Sequence, residues 1–153
     1  MRLGAFFGRR RGVAMQAVAA LAASAMLAAP VYAASCDPEK ATSSVSFSKS
    51  IEPLFAESCA SMTCHYSHGA AADLNLNAGS SYHFIVGQYS VEARPMRIVE
   101  PGDPEASYII HKLRGTQEKA GGGGERMPWE GAPLAEKDIA MIATWIKDCS
   151  PRN

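Results

Sequence analysis

Apolar positions near the start of the polar region repeat with helical spacing. Phe47, Ile51, Leu54 and Phe55 stand at i, i+4, i+7 and i+8, one face of a helix. Pro53 limits where that helix begins, because its missing N–H is harmless only in the first turn. With Ser50 as N-cap, a helix is expected from about Ile51 to Ser58, delivering Cys59 at its end. The strongest helical pattern is Ala135 to Cys149. There Ile139, Ile142, Ala143 and Ile146 form a stripe, Trp145 adds bulk, and Glu136 and Asp138 suit the N-terminal end. Pro151 closes it.

Between these two helices the pattern is weaker. Leu74 and Leu76 alternate within Ala70 to Asn77, which reads as a loop lying over an apolar surface. Ser80 to Val86 fits a short helix or a strand, and Gly87 to Arg97 a loop. Pro101-Gly102-Asp103-Pro104 is a turn. A further helix is expected from Glu105 to Gly115, with Tyr108, Ile109 and Leu113 on its buried side. Gly121 to Gly124 reads as a flexible stretch outside regular structure, and Pro128 biases Met127 towards extended backbone in a loop.

The 153 residues make one domain rather than two. Arg2, Arg9, Arg10 and Arg11 precede an uncharged, alanine-rich run from Val13 to Ala29, and no acidic residue occurs before Asp37. This reads as a secretory signal peptide, residues 1–33, cleaved after Ala33. An uncleaved membrane anchor, a twin-arginine leader and a lipoprotein with Cys36 lipidated are the lesser alternatives. The mature chain then divides into an extended lead-in (34–46), a folded domain (47–149) and a tail (150–153). Fifteen basic and fifteen acidic residues balance. Four arginines leave with the leader, so eleven against fifteen gives the mature chain a net charge of −4. No basic run survives to bind nucleic acid.

The most specific chemistry lies in Cys59-Ala60-Ser61-Met62-Thr63-Cys64-His65. Two thiols followed at once by an imidazole are the pattern of covalent haem attachment: the thiols bond the two vinyl groups, and the histidine ligates iron. Four residues separate the cysteines where two are usual, so the extra residues must bulge while both sulfurs reach one porphyrin edge. Three other readings compete. Cys59 and Cys64 form a disulfide in an exported protein; or Cys59, Cys64, His65 and His68 hold zinc; or Met127 is a gap-filling core residue rather than a ligand. Met96 is the rival methionine, and His68, His83 and His111 are rival imidazoles.

Five stretches together resemble the small single-haem cytochrome c domains of bacterial periplasmic proteins. They are Ile51-Glu52-Pro53-Leu54-Phe55, the Cys…Cys-His, Pro101 to Ile110, Arg126-Met127-Pro128 and Trp145-Ile146. The resemblance spans about Phe47 to Lys147. It implies an all-α, cytochrome c-like fold around one covalent haem c, with the first and last helices packed together. It implies that Cys59 and Cys64 carry the thioethers, His65 is the proximal ligand and Met127 the distal one. The same helix packing would bring Cys36 and Cys149 together as a disulfide. The expected function is a periplasmic, monomeric electron carrier between redox partner proteins, without enzymatic activity or a membrane anchor. Two alternatives stand beside it: a haem sensor or peroxidase-like protein with an open distal site, and a haem-free binding module with a Cys59–Cys64 disulfide.

Overall fold

The N-terminal helical segment starts earlier than the apolar spacing suggests, and proline explains why. In the computed structural model, which describes Met1 and residues 36–61, 63–66 and 70–153, a widened π-turn over Phe47–Ile51 runs directly into α1 (Glu52–Ser58). The cap is Ser46, whose side chain accepts from Lys49 N, not Ser50. A proline in a helix crowds the carbonyl four residues back and cannot bond to it. Here the turn ahead of Pro53 is widened, with the Glu52 N–H reaching Phe47 O, five residues back. Phe47, Ile51 and Phe55 are buried along the resulting face. The leader expected at 1–33 lies outside the described residues, as do His68 and Met62.

Three further helices follow. The ambiguous segment is helical, α2 (Ser81–Ile85); α3 is Tyr108–Arg114 and α4 is Glu136–Lys147. Helix α3 begins three residues later than Glu105 because Asp103 takes the backbone first. Its carboxylate accepts from Glu105 N and Ala106 N, both at 3.0 Å, and its carbonyl accepts from Ser107 Oγ at 2.7 Å. The helix ends at Gly115 in the left-handed region, φ +71°. Among the described residues, extended pairing is limited to three isolated bridges, Val86–Val99, Tyr89–Arg97 and Arg97–Ser107. The domain is all-α, as expected. No helix among the described residues is long and apolar enough to cross a membrane.

The core is where the two ends of the chain meet. Phe47 stacks on Trp145 with ring centroids 5.1 Å apart, and Tyr82 packs edge-on against Phe47, also at 5.1 Å. Ile51, Ile142, Trp145 and Ile146 are fully buried. The last residues are tied in rather than trailing: Phe47 N donates to Asn153 Oδ1 at 2.7 Å and Ser48 N to Asn153 O at 2.9 Å. Helix α4 also stops before Cys149. Cys149 and Ser150 both take positive φ, +70° and +51°, a conformation that is strained for side-chain-bearing residues. Ser150 N bonds to Trp145 O, and the buried Trp145 indole donates to Pro151 O, each at 2.9 Å.

Cys36 and Cys149 form a disulfide, with Cα atoms 5.3 Å apart and a sequence separation of 113. Closing so long a loop stabilises the fold by roughly 4–5 kcal/mol in the chain-entropy account. Gly102 makes room for it. Its N–H donates to Ile146 O at 2.7 Å, its φ is +88°, and a Cβ there would sit 2.7 Å from Cys36 Sγ. Gly79 is the control: φ +80° with open space around it. Gly79→Ala is expected to cost about 1 kcal/mol of backbone strain. Gly102→Ala should cost about 2–3 kcal/mol, because overlap with the disulfide adds to that strain. Denaturant titration of the oxidised protein reads both; equal losses would mean that the disulfide yields freely.

Candidate functional site

Helix α1 places Cys59, and the loop after it returns to the same spot. Cys59 ends the helix with its N–H on Phe55 O at 2.9 Å. Cys64 N then bonds to Ser61 O at 3.0 Å, and His65 N returns to Cys59 O at 3.3 Å. The long spacing between the cysteines is thus absorbed as a closed bulge. Two more backbone bonds fix the motif from outside: Ala71 N to Cys64 O at 3.1 Å and Leu76 N to His65 O at 2.8 Å. The loop expected to lie over an apolar surface is therefore also the clamp on His65.

His65 is 6% exposed. Its Nδ1 lies 3.2 Å from Leu74 O. A carbonyl only accepts, so Nδ1 carries the proton and Nε2 keeps its lone pair, the state a metal-ligating imidazole needs. Burial lowers the pKa of His65 and favours this neutral form, against the smaller opposing effect of the Leu74 and Ala71 carbonyls. Burial also pushes the Cys59 thiol up to about 11, with the neighbouring Cys64 adding to the shift.

Cys59, Cys64, His65 and Met127 all line one cavity of about 460 Å³, within the range of cofactor sites, roughly 300–1,000 Å³. Most of its wall is apolar, with Phe55, Leu74, Leu76, Ile98, Ile109 and Leu113 contributing. Met127 is anchored by its own backbone, whose N–H bonds to Lys112 O at 3.0 Å. Trp129, 60% exposed, lines the cavity and also meets solvent. A polar corner remains. Lys112 Nζ pairs with Glu92 Oε2 at 3.1 Å, and the Tyr108 hydroxyl lies 3.2 Å from the same oxygen.

No protein family, curated protein or solved structure matches this chain.

The competing readings separate on this geometry. Cys59 and Cys64 are both free thiols, without the disulfide that the competing reading places between them, while the expected pairing of Cys36 with Cys149 is present. Among the described residues no cluster of three or more His, Cys, Asp or Glu is arranged to hold a metal ion; the zinc reading also calls on His68, which lies outside them. A haem iron asks for less, because four of its six ligands are porphyrin nitrogens. His111 has both ring nitrogens engaged, with Thr116 Oγ1 and Glu105 O, each at 3.0 Å. Neither it, His83 nor Met96 lines the cavity. Sequence reasoning did not single out Glu92 or Lys112. A lysine on the apolar side of a helix, one position before Leu113, was the available signal.

The two thiols, one imidazole whose Nδ1 faces a carbonyl, one thioether sulfur and an apolar cavity fit a covalently held haem. In chain exported without haem, Cys59 should alkylate roughly tenfold to a hundredfold more slowly at pH 8 than an unperturbed thiol, because its thiolate is that much scarcer. Its rate should keep rising towards pH 11. Iodoacetamide labelling with peptide mass mapping checks this, and fast reaction at pH 8 would mean that the cavity is open to water around Cys59.

Proposed function

We propose that this chain is an exported, periplasmic single-haem c-type cytochrome with a cytochrome c-like fold, and that it carries single electrons between redox partner proteins without being an enzyme. The observation that carries the reading is the shared cavity: Cys59, Cys64 and His65 line it together with Met127, although the sequence sets Met127 far downstream. The resemblance described from the sequence points the same way. The disulfide between the chain ends suits an oxidising compartment. On this reading the protein works as a monomer and meets its partners transiently, as small redox encounters do.

Haem would supply a one-electron iron couple, and the chain's own residues would do the rest. Cys59 and Cys64 would hold the group covalently. His65 would bind through Nε2 while its Nδ1–H donates to Leu74 O, which fixes the ring and raises its basicity as a ligand. Met127 offers a soft, neutral sulfur that favours the ferrous state and so raises the reduction potential. The apolar wall excludes water, which lowers the local dielectric and disfavours the added charge of the oxidised state. With His65 and Met127 both committed to the iron, the site would keep no position for a substrate.

Two measurements on exported protein test this. Intact mass and the reduced visible spectrum should give one covalent haem with a c-type spectrum; a colourless chain with two alkylatable thiols would sink the proposal. Met127→Ala should lower the reduction potential and admit carbon monoxide to the ferrous form. Rapid carbon monoxide binding by the unaltered protein would favour the sensor or peroxidase-like alternative with an open distal position.

A further inference from the structure

We propose that Gly121–Gly124 is a strap that sets the position of Met127, and that Lys112 and Tyr108 are the positioning residues that hold it. The inference rests on the reading of Met127 as an iron ligand. From the sequence these four glycines look like a loose linker, but in the fold they are gripped. The Lys112 ammonium donates to Gly123 O at 3.1 Å, the Tyr108 hydroxyl lies 3.3 Å from the same carbonyl, and Gln117 Nε2 donates to Gly124 O at 2.9 Å. Three side chains thus bind two successive carbonyls just ahead of Met127.

Close approach requires two of the four to be glycine. A Cβ on Gly122 would overlap the Tyr108 phenol. Gly124 has φ +69°, and a Cβ on it would meet Glu92 Oε1 at 3.0 Å and Lys112 Nζ at 3.1 Å. A linker whose only task is to connect needs neither restriction.

Helix α3 makes the grip rigid. Tyr108 and Lys112 are four residues apart and so share one face. Lys112 holds the loop twice: its side chain binds the strap, and its backbone carbonyl accepts from Met127 N at 3.0 Å. Lys112 is 8% exposed, a position that a cation tolerates only when paired, and Glu92 and Gly123 O supply the partners. Burial and Glu92 push Tyr108 up to about 12, so its hydroxyl stays a donor at any physiological pH. Groups that orient a metal ligand from outside typically alter binding ten- to a hundredfold when removed. Loosening the strap should therefore let Met127 leave the iron more often, without touching the covalent attachment at Cys59 and Cys64.

The test compares haem-loaded, exported wild type with Lys112→Met, Tyr108→Phe and, as a stability control, Ile139→Val in α4. Mass confirms covalent haem in each. The readouts are carbon monoxide binding to the ferrous form, the methionine-to-iron charge-transfer band of the ferric form, and the midpoint potential. In Lys112→Met the expected result is carbon monoxide binding faster by about tenfold or more, a weakened band and a lower potential. Tyr108→Phe should move the same way by less, and it carries the test if Lys112→Met does not fold, since it removes one oxygen and keeps the ring. Ile139→Val should lower the melting midpoint and leave all three readouts alone. The proposal is overturned if the α3 variants melt lower, as the control does, while band, potential and carbon monoxide binding stay at wild-type values. A wild type without covalent haem would sink the ligand reading and this inference together; an unchanged Lys112→Met haem protein sinks this inference alone.

Discussion

The packing of the first helical segment against the last is the constraint on which the remaining geometry hangs. Phe47, Ile51 and Phe55 come from one end of the domain, Ile142, Trp145 and Ile146 from the other, and all are nearly or fully buried. Burying side chains of this size contributes on the order of 1.5–3 kcal/mol each, enough to hold short helices that would not persist alone. The consequences spread outward. The Trp145 indole bonds to Pro151 O, the tail turns back through two left-handed residues, and Cys149 meets Cys36. With α1 fixed at one end by this core, its other end sets Cys59 on the cavity wall.

The cavity then acts on the groups it contains. Low exposure keeps His65 neutral with its proton on Nδ1, and it keeps the Cys59 thiol protonated. The same dryness would make a charged corner costly, and the fold meets that cost by pairing Lys112 with Glu92 and surrounding the pair with Tyr108 and strap carbonyls. One environment therefore serves two ends: an apolar wall suited to a flat, largely apolar cofactor, and a single polar node that ties the loop bearing Met127 to a helix.

Where expectation and structure parted, local hydrogen bonding decided the outcome. Ser46 caps the first segment instead of Ser50 because the turn before Pro53 widens. Asp103 delays α3 by taking the N–H groups of Glu105 and Ala106. The glycine run shows the largest difference. Composition describes the freedom of an isolated chain, but here Gly122 and Gly124 answer to neighbours, Tyr108, Glu92 and Lys112, that lie elsewhere in sequence.

The sequence by itself determined the helical class, the approximate helices around Phe55, Tyr108 and Trp145, and the chemical inventory of thiols, imidazole and thioether. Those properties are carried by 3.6-residue periodicity and by residues adjacent in the chain, and so they can be read along a line. Only the tertiary structure decided that Met127 and not Met96 shares the cavity with His65 and that Cys59 and Cys64 stay free, whereas the pairing of Cys36 with Cys149 was already expected from the packing of the end helices. It also decided which imidazole nitrogen faces a carbonyl and why Gly122 and Gly124 carry no side chain. Each of these depends on what a distant segment places within a few ångströms, and spacing along the chain carries no measure of that distance.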